Sequence, residues 1–115
     1  MENSLFDNIL IKEKQRGSYY EIRLFEKETM EKIGFMVGSA GTTCGNLHVY
    51  ADYRRKGFGT FLLKKYIEFV KTKTSHSQVK LICSKTNIIA QSLYKKLGFQ
   101  FSDKDESLLL CCLNV

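Results

Sequence analysis

Residues 53–66, YRRKGFGTFLLKKY, hold the residue types best spaced for chemistry in this chain. Three cations, Arg54, Arg55 and Lys56, precede two glycines, Gly57 and Gly59, and an apolar-periodic run begins at Phe58. The first turn of a helix carries unpaired N–H groups and a partial positive charge. Glycine lets the oxygens of an anion approach that backbone closely, and neighbouring cations add full charge at the same point. The stretch reads as a pyrophosphate cradle or, equally, as a tight strand-to-helix turn in which the glycines serve only the backbone. G-x-x-x-x-G-K-[ST] and G-x-G-x-x-G are both missing, which disfavours ATPase and dinucleotide readings.

The surrounding elements follow from hydrophobic period. Residues 8–15 read as a first strand, with a turn at Gly17. Residues 19–28 alternate with period two, and 32–40 and 44–51 are further β-rich runs, so the first half reads as an antiparallel meander. From Phe58 the apolar spacing becomes three and four, which predicts an amphipathic helix ending near residues 71–73. Residues 79–84 read as a short strand. Residues 87–99 read as a second helix, with Gly98 as its stop. Residues 99–102 and 107–115 read as closing strands joined by the DKDE turn at 103–106. A helix between 44–50 and 79–84 predicts a crossover that makes those two strands parallel neighbours. The expected fold class is α/β (α+β): a mixed, mostly antiparallel central sheet of about six to seven strands with two main helices, in one domain spanning 1–115.

With hydrophobic residues at 43% and charged residues at 26%, the composition is that of a folded chain and excludes a disordered one. No apolar run approaches the roughly 18 residues of a membrane span. The opening MENSLFDN lacks a secretion signature, so a cytoplasmic, intracellular location with no membrane partner is expected. Cys44, Cys83, Cys111 and Cys112 form no C-x-x-C pair, and the only histidines are His48 and His76. That spacing argues against a metal site and for reduced cysteines. The net charge of +6 favours an acidic partner: nucleic acid, a membrane surface or a phosphate-bearing cofactor.

LHVYADYRRKGFGTFLL (47–63) resembles the signature of the GNAT superfamily of N-acetyltransferases, a strand end followed by [RQ]-x-x-G-x-[GA] at a helix start. NIIAQSLYKKLGF (87–99) resembles the family's second block, N-x-x-A-x-x-L-Y-x-x-x-G-F, and comes in the right order. The resemblance covers about residues 44–101. It implies acetyl-CoA as acetyl donor, no metal, and direct attack by a primary amine, carried on a protein or peptide among other candidates. It also implies a cofactor cleft where strands 44–50 and 79–84 splay apart. Leu47, His48 and Val49 would offer backbone groups to the pantetheine arm and acetyl carbonyl. Arg54 opens the signature, and the amides of Arg55, Lys56, Gly57, Phe58, Gly59 and Thr60 would hold the pyrophosphate. Asn87 would contact the pantetheine side, and Tyr94 would protonate the departing thiolate. Read without the resemblance, Asn87 is a helix cap and Tyr94 an amphipathic core residue.

Some positions depart from the family pattern. Members carry a strand and two helices before the meander, whereas the 18 residues before position 19 leave room for an edge strand, so an open acceptor side is expected. Ala51 replaces a common proline, and Ile82 stands where some members place a glutamate base. His48 is the candidate base on the neighbouring strand, with Glu21 a weaker one. Two other functions fit the residues: a catalytically reduced CoA-binding or regulatory module, and a basic nucleic-acid-binding domain. The second has charge in its favour but no zinc or helix-turn-helix pattern. Monomer and homodimer both fit.

Overall fold

In the computed structural model, which describes residues 6–115, β1 (Ile9–Arg16) and β2 (Tyr19–Glu26) form a hairpin. Its two-residue turn is set by Gly17 at φ 58°, a conformation that favours glycine. β3 (Lys32–Ser39) and β4 (Gly45–Val49) extend the meander, giving the order β1-β2-β3-β4. Alternation along β2 buries Tyr20, Ile22 and Leu24 on one face and turns Tyr19, Glu21, Arg23 and Phe25 to the other. No helix separates β1 from β2, so the edge strand expected at 8–15 is present and joins β2 directly.

α1 (Phe58–Lys73) lays Phe58, Leu62, Leu63, Tyr66, Phe69 and Val70 onto the buried face, at the spacing its sequence predicts. The Tyr66 ring lies against Gly38, where an added Cβ would stand 2.6 Å from the ring. β5 (Gln78–Ser84), α2 (Ile88–Lys96), β6 (Gln100–Asp103) and β7 (Leu108–Asn114) complete the chain, with β7 between β5 and β6. Val79, Leu81, Cys83 and Cys111 join the same buried cluster as β2, β3 and both helices. Both helices therefore cover one side of the strands. Among the described residues, no helix is long and apolar enough to cross a membrane.

Among the described residues, seven strands and two helices match the expected class, but β4 and β5 are not the hydrogen-bonded neighbours that the crossover argument predicted. The strands form a four-stranded and a three-stranded antiparallel sheet instead. Leu81 of β5 fills the space beside Gly45, where an added Cβ would stand 2.7 Å from Leu81 Cδ2. At the other end of β4, Gly59 of α1 lies between the side chains of Val49 and Leu93 of α2.

Candidate active site

The ladder bonds of β4 decide which of its backbone groups are available. Tyr50 N–H donates to the Ile33 carbonyl at 2.9 Å, and the Cys44 carbonyl accepts from Ser39 N–H at 3.1 Å. Antiparallel pairing alternates, so the even-numbered residues, His48 included, commit their backbone to β3. Leu47 and Val49 then face the seam toward β5, where no ladder exists among the described residues. Of the three residues 47–49, Leu47 and Val49 keep their backbone groups free of the β3 ladder, whereas those of His48 are committed to it. The Val49 carbonyl accepts from Arg54 Nε at 2.8 Å, which anchors the first cation of the signature to the strand end.

The segment after β4 is held from several directions. A 3-10 turn spans Ala51–Tyr53, and the Tyr53 hydroxyl donates to the Glu31 carboxylate. The Tyr53 ring meets Phe58 edge-on at 6.3 Å between centroids. Arg55 has φ 66° and Gly57 φ 91°, while Lys56 between them is not left-handed. Such alternation gathers successive N–H groups into a concave, anion-binding arc. Left-handed φ at a non-glycine residue costs about 1–2 kcal/mol, so Arg55 is held there by its surroundings.

α1 then begins without a side-chain cap. Gly57 is its N-cap, and the Gly57 carbonyl accepts from Phe61 N–H at 3.0 Å. The N–H groups of Phe58, Gly59 and Thr60 have no hydrogen-bond partner among the described residues, and no acidic residue stands in the first turn. Arg55 and Lys56 are exposed and form no ion pair among the described residues. This is an unpaired, positively polarised turn of the kind at which anions bind.

The two glycines differ in their roles. Gly57 requires its residue type for backbone reasons, whereas Gly59 has ordinary helical φ, and a Cβ there would make normal contact with Leu93 Cδ2 at 3.4 Å and Val49 Cγ2 at 3.8 Å. Gly57→Ala is expected to destabilise the fold by about 1–2 kcal/mol. Gly59→Ala is expected to stabilise it by up to about 1 kcal/mol through helix propensity. Urea denaturation of the two variants checks the opposite signs.

Across the seam, Asn87 caps α2: its Oδ1 accepts from Ala90 N–H at 3.1 Å. Its side-chain amide is left on an exposed residue. Tyr94 is 6% exposed and packs against Phe99, with centroids 5.4 Å apart. Its hydroxyl has no hydrogen-bond partner among the described residues. Burial, with the thiols of Cys83 and Cys111 nearby, pushes its pKa up to about 12. Burial also raises Cys83, and raises Cys111 to about 12, so both remain thiols and poor nucleophiles. No group of three or more His, Cys, Asp or Glu is placed to hold a metal among the described residues.

The candidate bases lie elsewhere. The His48 ring sits on the side without helices, between Phe35 at 5.8 Å and Tyr50 at 4.6 Å between centroids. Ile82, opposite Leu110, is on the face of β5 turned away from Cys83 and the core. Glu21 is bonded to Arg23 and to the Tyr19 hydroxyl, which hold it below the usual carboxylate range. A carboxylate so held is a weak base, and it lies two strands from the seam. Sequence reasoning missed Leu93 as a seam residue, having placed it in a helix stack, and missed the left-handed Arg55.

The profile of the acetyltransferase (GNAT) family matches residues 6–99. The chain belongs to this family. Comparison with curated proteins returns no match. Among solved structures, a GNAT acetyltransferase from Elizabethkingia anophelis with acetyl-CoA bound is 19% identical with a TM-score of 0.73, over 95% of this chain and 99% of that one. The ribosomal-protein-S18-alanine N-acetyltransferase of Escherichia coli is 21% identical with a TM-score of 0.70, over 88% of this chain and 72% of that one. A candidate acetyltransferase from Acinetobacter baylyi is 17% identical with a TM-score of 0.71, and this chain, over 84% of its own length, spans 64% of it. At these identities the likeness is one of fold. In this GNAT chain the end of β4, the signature turn and α2 meet at Gly59, between Val49 and Leu93.

Proposed function

We propose that the chain is an acetyl-CoA-dependent N-acetyltransferase that moves an acetyl group to a primary amine on a protein or peptide. The observation that carries this reading is the seam between β4 and β5, with the uncapped first turn of α1 at its mouth. Acetyl-CoA, when bound, supplies the acetyl thioester. The N–H groups of residues 55–60, with Arg55 and Lys56, would hold its pyrophosphate, and Leu47 and Val49 would bond its pantetheine arm. Val49 N–H, free of the ladder, is a donor for negative charge that develops at the acyl oxygen. Asn87 keeps its side-chain amide for the pantetheine side while its oxygen caps α2. Tyr94 holds a proton at neutral pH and would give it to the departing sulfur. His48 is the one titratable ring on β4 that could take a proton from the amine.

A binding-only reading has its own observation: Ile82 cannot accept a proton, and Tyr94 as a whole is only 6% exposed. Thiol release from acetyl-CoA in the presence of peptides with free amines decides between the two. Release that depends on both peptide and protein is expected. Tight acetyl-CoA binding without release, across peptides of varied charge, would establish the binding module instead.

A further inference from the structure

We propose that the acceptor amine arrives on an acidic polypeptide, which crosses the helix-free face of the N-terminal sheet from β4 to the edge strand β1. This rests on the transferase reading above and specifies its substrate. On that face β1 presents Lys12, Lys14 and Arg16, opposite Arg23, Glu21 and Tyr19 of β2, and Lys32 of β3 pairs with Phe25. Five cations thus share the face with one carboxylate, Glu21, which is already bonded to Arg23 and Tyr19. The three β1 cations are exposed. Protection of an edge strand from mispairing needs charge of either sign, whereas here the sign is uniform, and the one acid of β1, Glu13, points to the other face toward Tyr20.

The geometry favours a polypeptide over a nucleic acid. Having crossed the face, a polypeptide can turn along the outer edge of β1 and match its alternating backbone N–H and C=O groups with its own. Phe35, His48 and Tyr50 are half-buried and packed against one another, with His48 and Tyr50 at 86°, so they are not splayed as platforms for bases. Three strand spacings of about 4.8 Å separate β4 from β1, a span of about 14 Å. An extended chain covers that in about four residues. Carboxylates are therefore expected to begin about four residues from the reacting amine.

The test uses twelve-residue peptides with a free α-amine and Glu, Gln or Arg at positions 5–8. kcat/KM is read for transfer, and fluorescence anisotropy for docking. The Glu peptide should exceed the Gln peptide about 10-fold in both, as expected of a few exposed ion pairs, and lose that advantage at 0.5 M salt. The triple variant Lys12→Glu, Lys14→Glu, Arg16→Glu should abolish the preference while keeping its melting shift with acetyl-CoA. Equal or better performance of the Gln or Arg peptide, with the shift intact, overturns the inference and leaves the transferase reading standing. Displacement of the Glu peptide by a lower concentration of oligothymidylate assigns the face to nucleic acid and also overturns it. Loss of transfer to every peptide, with preferential docking of the Glu peptide retained, overturns the transferase reading alone.

Discussion

Replacing Tyr94 by Phe is expected to lower turnover about 100-fold while leaving acetyl-CoA affinity within a few-fold and the melting temperature unchanged or slightly raised. General acid catalysis contributes roughly 10²–10⁴-fold, and efficiency falls when the donor is far weaker than the working pH favours. Tyr94 is pushed up to about 12, chiefly by burial, so it holds its proton but gives it reluctantly, which places the effect at the low end. The stability side of the prediction has a separate cause. Tyr94 is buried and desolvated, and its hydroxyl has no partner among the described residues. Removing an unsatisfied buried hydroxyl breaks no bond and is neutral or favourable. Steady-state kcat at saturating acetyl-CoA, with a thermal melt of the same samples, checks both halves. Unchanged turnover would return Tyr94 to the role its packing against Phe99 alone suggests, a core residue of α2.

Reversing two charges at the cradle should have the other large effect. Arg55→Glu with Lys56→Glu is expected to weaken acetyl-CoA binding about 100-fold at low salt, because two cations beside a pyrophosphate become two anions. The loss should shrink in 0.3 M salt, since both residues are exposed and screened. The fold should not suffer. Acidic residues at the start of α1 suit the helix dipole by about 0.3–1 kcal/mol, and neither side chain packs in the core. Arg54 is left out because its guanidinium is bonded to the Val49 carbonyl, so its removal would also disturb the strand end. Isothermal titration at the two salt concentrations, with melts of the unliganded proteins, separates binding from folding.

Much of this architecture was legible because period and punctuation agree. Tyr20, Ile22 and Leu24 alternate, Leu62, Tyr66 and Phe69 recur at helical spacing, and Gly98 at φ 99° ends α2 as its sequence position indicates. The relation between β4 and β5 was not legible. A crossover helix fixes the direction of two strands but does not require that they bond to each other as neighbours. In the site, the glycine-cation pattern marked the turn correctly but gave no means of separating Gly57 from Gly59, because φ is not written in residue type. The left-handed Arg55 carries no sequence signal at all. The expectation that residues 47–49 act as a backbone unit overlooked ladder alternation, which commits His48 to β3.

The most direct test of the central claim, a seam whose mouth holds a pyrophosphate, is a thermal melt with acetyl-CoA set against S-acetylpantetheine, which lacks the pyrophosphate. At about 100 times the dissociation constant, acetyl-CoA should add roughly 2.7 kcal/mol and raise the melting temperature by roughly ten degrees. S-acetylpantetheine at the same concentration should produce only a small rise. A shift of equal size with both compounds, or none with millimolar acetyl-CoA, would contradict the account and leave Gly57 and Gly59 as residues of the turn alone.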